Sequence, residues 1–433
     1  MYSRKESNNG KSAKDSSVIG FLMTLLSFQE AKEVQDMEKE WFLKGADRLE
    51  QVYFSPIRQV GEKANALAKA GHPVIKFSIG EPDFNTPEPI KEATIQAIKE
   101  NKTHYASNRG LLELRQCIAQ KLKENNGLEY DPETEILVTS GGAEVINDAF
   151  LAVLNPGDEV IVFTPAFMNY ENLIHLCGAK MVGIPLKEEN GFQIDPAAVK
   201  AKITDRTRMI VLNNPSNPLG IVFKEEVLAE IAKIAVQYNL LVFTDEMYNE
   251  ILYDGVVCRS IASFPDMKIR TITMNGFSKT YAMTGWRVGY VAADSRVISN
   301  ILKVHQYATT CSPTFIQYGL AAAMNLPETA SEVKKMVQVF DHRRKLVMAG
   351  LDKIGKLTYI VPEGAFYIFV NVSQTGMDGD EFASKLLNEF YVATVPGTKL
   401  GDWCKDYIRI SYATSDQNLE EGLNRMDRFV NHK

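Results

Sequence analysis

The stretch Thr271–Tyr290, TITMNGFSKTYAMTGWRVGY, decides the reading of this chain. Thr271–Met274 is a short apolar run of strand character, and Asn275-Gly276 breaks it. Lys279 follows on a turn rich in small residues, with Arg287 eight residues further on. A primary amine just past a strand end can be held in a pocket. The chemistry it offers there is a Schiff base with an aldehyde, of a cofactor or of a carbonyl substrate, provided that neighbours keep it partly unprotonated. One lysine after a strand is more often a surface residue, so the rest of the chain has to supply its partners.

Working outward, the 433 residues are 45% hydrophobic and 24% charged, which is enough for a large core and two domains. A formal net charge of -6 with no long basic run gives no reason to expect nucleic acid. Five scattered cysteines, Cys117, Cys177, Cys258, Cys311 and Cys404, show no metal-ligand spacing and fit a reducing compartment. The six histidines make no HExxH-like pair, so no dedicated protein-ligated metal site is expected. No apolar run approaches the roughly 20 residues that span a bilayer. The expectation is a cytoplasmic enzyme without a membrane partner.

Residues 1–17 are polar and serine-rich and read as disordered. Val18–Phe28 is apolar and follows Arg4, Lys5, Lys11 and Lys14. A targeting segment has this pattern, but no small-residue cleavage site follows, which favours a short packing helix. Glu30–Val52 reads as a charged helix. Residues 1–50 are therefore an extension, with 51–95 expected as the N-terminal part of a small domain and bridge, 96–340 as a large domain and 341–433 as a C-terminal small domain.

Beyond Ser55-Pro56, short apolar runs alternate with helical spacing. Ile136–Thr139, Glu159–Phe163 and Arg208–Leu212 read as strands that end in turns of Gly, Pro, Asn or Ser, and Leu240–Thr244 reads as a strand that delivers Asp245, Glu246 and Tyr248. The pattern implies a three-layer α/β domain on a mostly parallel sheet, with a smaller α+β domain made from the N-terminal segment and the C-terminus. The carboxyl ends of such strands gather one ligand site. Those ends carry Gly142, Phe167, Asn217, Asp245 and Lys279.

These residues make chemical sense together as holders of a phosphorylated, cationic aromatic aldehyde. Lys279 supplies the amine. Asp245 is an acid that can pair with a ring nitrogen and keep it protonated, so that the ring draws electrons. Tyr248 and Asn217 can donate to a ring oxygen, and Phe167 offers a flat face. The amides of Gly142, Ala143 and Glu144, at a helix start after Ser140-Gly141, suit a phosphate, with Arg287 as its counterion. Pyridoxal 5'-phosphate uses all of these roles.

The segments GEPDFNTP, HYASNRGLLELR, TSGGAE, LNPGDEV, PAFMNY, NNPSNPLG, TDEMYNEILYDG, NGFSKTYAMTGWRVGY and YIRISYA, in this order from about Pro56 to the end, resemble the fold type I pyridoxal-phosphate enzymes. Within them the chain is similar to the class I/II aminotransferases, in their aspartate aminotransferase-like branch. The resemblance implies that Lys279 also shuttles a proton at the substrate α-carbon. It implies that Arg409 clamps the α-carboxylate with help from Asn217 and the Gly80 backbone. Tyr105 would reach the phosphate of a neighbouring subunit, which implies a homodimer with shared active sites. Gly276 departs from members that carry a hydroxyl there, and Ser278 is not an evident replacement.

The implied reaction moves an amino group from an L-amino acid to a 2-oxo acid, with L-aspartate and 2-oxoglutarate as the first expectation. A dicarboxylate substrate needs a second cation, and no arginine occurs in Lys303–Cys311, where one branch of the family carries it on the partner subunit. Lys303, His305, Arg109 and Arg259 are the candidate substitutes. An aromatic or kynurenine-type aminotransferase is the alternative, and a pyridoxal-phosphate lyase the reading from another class.

Overall fold

The computed structural model describes residues 44–432. Val18–Phe28 and most of Glu30–Val52 lie outside them. The described part of the latter holds a single 3-10 turn, Asp47–Leu49, in place of the expected helix. None of these three residues is buried.

From Gln51 onward, α1 (Pro56–Lys69), β1 (Ile75–Lys76), α2 (Glu88–Lys99) and α3 (Leu112–Asn126) lead into an alternating region. That region runs through β2 (Ile136–Thr139), α4 (Gly142–Val153), β3 (Glu159–Thr164), α5 (Asn169–Leu176), β4 (Lys180–Pro185) and α6 (Pro196–Lys202). It continues with β5 (Thr207–Asn213), α7 (Glu225–Gln237), β6 (Leu241–Asp245), β7 (Thr271–Gly276) and β8 (Gly289–Ala292). The seven strands order as β2-β8-β7-β6-β5-β3-β4.

Every pairing in this sheet is parallel except those of β8, which runs antiparallel to β7 and to β2. β2, β3, β7 and β8 are buried along their whole length, and β2, β3 and β7 accordingly read as continuous apolar runs rather than as alternating patterns. β8 was not expected. Its four residues follow directly on the Trp286-Arg287 turn, and on such a short run the tail of that turn hid the strand.

The second half contributes α8 (Ser295–Ala308), α9 (Thr314–Ala323), α10 (Pro327–Ile354), β9 (Thr358–Tyr359) and β10 (Tyr367–Asn371). After these come α11 (Gly379–Phe390), β11 (Val392–Ala393), β12 (Val395–Pro396), β13 (Tyr407–Ser411) and α12 (Asp416–Asn431). The 28-residue α10 runs unbroken through position 341.

β12, β13, β10 and β9 form an antiparallel sheet, while β1 pairs in parallel with β11 through Ile75 and Val392. The Ser411 amide donates to the Phe77 carbonyl at 2.8 Å. The chain's beginning and end thus build one α+β unit, and the Ser78–Gly80 turn is carried to β13.

Candidate active site

The parallel strands β2, β3, β5, β6 and β7 present their carboxyl ends on one edge of the central sheet, where loops are free to converge. A cavity of about 620 Å³ opens there. Its walls include Gly80, Gly142, Ala143, Phe167, Asn217 and Asp245, and equally Tyr248, Lys279, Arg287 and Arg409. Ten of the residues expected from sequence are therefore brought together.

Lys279 sits three residues past the end of β7, held by Phe277, which is buried in the core beneath the turn. Its Nζ donates to the Gly80 carbonyl at 2.5 Å. Burial pushes the amine down to about 8; Arg409 and Arg287 add to the effect, and Glu81 and Asp245 oppose it. An amine with that value is neutral often enough near pH 7 to act as a base or nucleophile.

Asp245 ends β6 and is buried. Its Oδ2 accepts from the Tyr170 hydroxyl at 2.6 Å and its Oδ1 from the Met247 amide at 3.1 Å. Burial raises the carboxyl to about 6, against the two hydrogen bonds and the Lys279 charge, which favour ionisation. Tyr248 and Tyr367 share a hydrogen bond of 2.9 Å between their hydroxyls, and burial raises both phenols.

Arg409 lies on β13 opposite Phe369 and Val395. Its Nη1 donates to Asn217 Oδ1 at 3.0 Å and its Nη2 to the Ser78 carbonyl at 2.9 Å, while its ring neighbour Tyr367 has its centroid 4.6 Å from the guanidinium carbon. The buried Nε has no partner among the described residues. A buried guanidinium with a donor to spare is unfinished, and an anion in the cavity completes it.

At the other end, α4 opens at Gly142 behind Gly141, whose φ of 86° belongs to the left-handed region. A Cβ on Gly141 would lie 2.6 Å from Arg287 Nη2, so only glycine lets the guanidinium come this close to the helix start. Arg287 is held there by the carbonyls of Thr284 at 2.9 Å and Ser140 at 3.3 Å. A helix N-terminus with an adjacent guanidinium is an anion cradle.

Glu144 is not part of that cradle. Its amide donates to the Gly141 carbonyl at 3.1 Å, closing a tight first turn of α4. Its carboxylate turns away, accepting from the Ser140 amide, the Thr309 hydroxyl and His305 Nδ1, the last at 3.2 Å. Asp148 adds a second carboxylate 3.7 Å from His305. Burial alone would lower the His305 pKa, but these two acids outweigh it and hold the imidazole up at about 9. The three side chains have ligand atoms within 4.8 Å of one another, with the imidazole facing both acids.

His305 is therefore spoken for and cannot serve a substrate. Arg259 pairs with Glu225, Arg109 donates to the Thr134 carbonyl, and Lys303 is exposed. None of the four cations raised from the sequence reaches the cavity wall. Tyr105 is 87% exposed and lies outside the cavity of its own chain.

Sequence reasoning missed several wall or support residues. Ser278, set aside at first, lines the cavity beside Lys279. Tyr170 stands three residues after Phe167, and the two rings meet edge to face with centroids 5.8 Å apart. That spacing, inside PAFMNY, was the signal for it. Tyr367 and Arg58 carried no local signal.

The family model for aminotransferase class I and II matches residues 72–426. The chain belongs to the class I and II aminotransferases. It is 43% identical to an aspartate aminotransferase of Pyrococcus abyssi over 388 residues, covering 90% of this chain and 98% of that one. It is 41% identical to aromatic-amino-acid aminotransferase 2 of Thermococcus litoralis, with the same coverage. The solved aspartate aminotransferase of Thermus thermophilus superposes with a TM-score of 0.85 at 37% identity, covering 89% of this chain and 99% of that one. This aminotransferase is thus a fold type I, pyridoxal-phosphate-dependent enzyme of the aspartate aminotransferase-like branch, whose relatives carry more than one substrate name. Among its described residues no helix is long and apolar enough to cross a membrane.

Proposed function

We propose that this aminotransferase moves the α-amino group of L-aspartate to 2-oxoglutarate in two half-reactions, with pyridoxal phosphate as the carrier. The observation that carries the reading is the convergence of Lys279, Asp245, Arg287 and Arg409 on one cavity. Its donor set fits the cofactor: the anion cradle at Gly142, Ala143 and Arg287 for a phosphate, Phe167 for a flat ring, Asp245 for a ring nitrogen, Asn217 and Tyr248 for a ring oxygen. Pyridoxal phosphate, when bound, supplies an aldehyde for the amino group and a protonated ring that accepts electrons.

The protein's part is to bind, orient and move protons. Arg409 holds the substrate α-carboxylate with its free Nε edge, pre-positioned by Asn217 and Ser78. Lys279, with its amine held near pKa 8 by burial, takes the proton from the substrate α-carbon and returns one on the way back. Asp245 stays ionised against burial because Tyr170 and the Met247 amide donate to it. Tyr248, fixed by Tyr367, keeps its hydroxyl proton and acts as a donor.

The second reading, an aromatic or kynurenine-type enzyme, draws support from the apolar wall of Tyr53, Phe54 and Ile57. We further propose a homodimer in which Tyr105 serves the partner's site. A spectral titration of the holoenzyme with single amino acids tests the main reading. Reversible bleaching, best with aspartate and glutamate and reversed by a 2-oxo acid, is the expected result. Faster conversion by phenylalanine and tyrosine selects the second reading. Irreversible turnover without an amine form of the cofactor points to a lyase.

A further inference from the structure

Four cationic side chains line the cavity: Arg58, Lys279, Arg287 and Arg409. Three of them have acceptors inside the protein, namely the carbonyls of Gly80, Ser140, Thr284 and Ser78 and the Asn217 side chain. Arg58 differs. Its amide donates to Ser55 Oγ at 3.4 Å in the first turn of α1, but its guanidinium has no acceptor among the described residues.

Its mounting is nevertheless firm. The Tyr53 hydroxyl donates to Glu171 at 2.5 Å, the Tyr53 amide to Asn172 Oδ1 at 3.0 Å, and the Ser55 hydroxyl meets Met168 Sδ at 3.2 Å. These contacts pin the segment before α1 against α5 and its lead-in, next to Phe167 on the cavity wall. An arginine fixed at its base, facing the cavity and with no acceptor at its tip among the described residues, is built to receive a planar anion in a bidentate fashion.

We infer that Arg58 binds the distal carboxylate of a dicarboxylic amino acid or 2-oxo acid, and so sets side-chain preference from within the same chain. The inference rests on the aminotransfer reading above. It also answers the absence of arginine from Lys303–Cys311 and the diversion of His305 and Arg259 to other partners. The Tyr53, Phe54 and Ile57 wall around Arg58 then contacts the carbon chain of the substrate.

The test takes wild-type holoenzyme, Arg58→Gln and Arg58→Lys through the first half-reaction with L-aspartate, L-glutamate, L-alanine and L-phenylalanine. Binding of succinate and of 3-phenylpropionate is measured alongside by calorimetry. Arg58→Gln should lower the half-reaction specificity for aspartate and glutamate by at least about tenfold and weaken succinate by a similar factor. Alanine, phenylalanine and 3-phenylpropionate should change by less than about twofold, and Arg58→Lys should recover part of the loss. A uniform loss over all four amino acids, or an unchanged preference for dicarboxylates in a wild type that does transaminate, overturns the inference alone. A wild type that converts none of the amino acids overturns the aminotransfer reading together with it.

Discussion

The Tyr170 hydroxyl donates to Oδ2 of Asp245 across 2.6 Å, joining the helix that follows Phe167 to the acid at the end of β6. Among the described residues lining the cavity Asp245 is the one acid, and burial works to protonate it. Tyr170→Phe removes a bond that favours the ionised form, so the Asp245 pKa should climb from about 6. The acid limb of the half-reaction profile should move to higher pH, with a loss at pH 7 of about two- to tenfold. An unmoved acid limb would show that the bond does not tune the carboxylate.

Lys279 can be read without any turnover assay. In protein stripped of cofactor, burial holds its amine near pH 8, and acylation of this one lysine should rise with a midpoint there. Exposed lysines should titrate near 10.4. Peptide mapping by mass spectrometry after brief labelling measures both. Lys279→Ala should retain bound cofactor yet lose nearly all transamination, and near wild-type turnover would sink the proton-transfer role.

Arg409→Ala leaves Asn217 Oδ1 and the Ser78 carbonyl without their donor and takes the carboxylate clamp away. Amino acid binding in the half-reaction should weaken by about 10- to 100-fold for every substrate. Arg409→Lys should recover little, because one ammonium cannot occupy three directions of a planar fork. Equal affinity in wild type and Arg409→Ala would contradict the clamp.

His305 gives a stability prediction with a definite sign. Its pKa is raised on folding, to about 9, so its contribution is complete below the unfolded value near 6.5 and fades as the pH climbs through 9. The urea midpoint of wild type should exceed that of His305→Gln most clearly at pH 6, and the gap should shrink by pH 9.5. A gap independent of pH would mean that the imidazole is not charged between Glu144 and Asp148.

Much of this site was legible because its chemistry sits at strand ends. Lys279 and Asn217 each follow an apolar run and a Gly, Pro or Asn break, and Asp245 ends its own apolar run, so local pattern places all three on one edge of the sheet. Arg58 and Tyr367 were not legible that way. Arg58 stands on an ordinary helix start, and what makes it a wall residue is the packing of Tyr53 on Glu171, 118 positions away. Glu144 was misplaced because a helix start suggests free amides, whereas its own amide closes the first turn onto Gly141 and its carboxylate answers to His305 from α8. β8 escaped for a related reason, since its antiparallel place between β2 and β7 is a tertiary fact.

The bond from Arg409 to the Ser78 carbonyl joins positions 331 residues apart. Its consequence is one of timing. A chain emerging from the ribosome can assemble the central sheet, glycine turn and Lys279 included, well before β13 has been synthesised. It cannot grip a substrate until β13 is out, because the carboxylate anchor and the turn that steadies it are synthesised 331 residues apart. Reactive amine chemistry and substrate capture are thereby separated during biosynthesis, and a chain truncated before residue 409 would hold the first without the second.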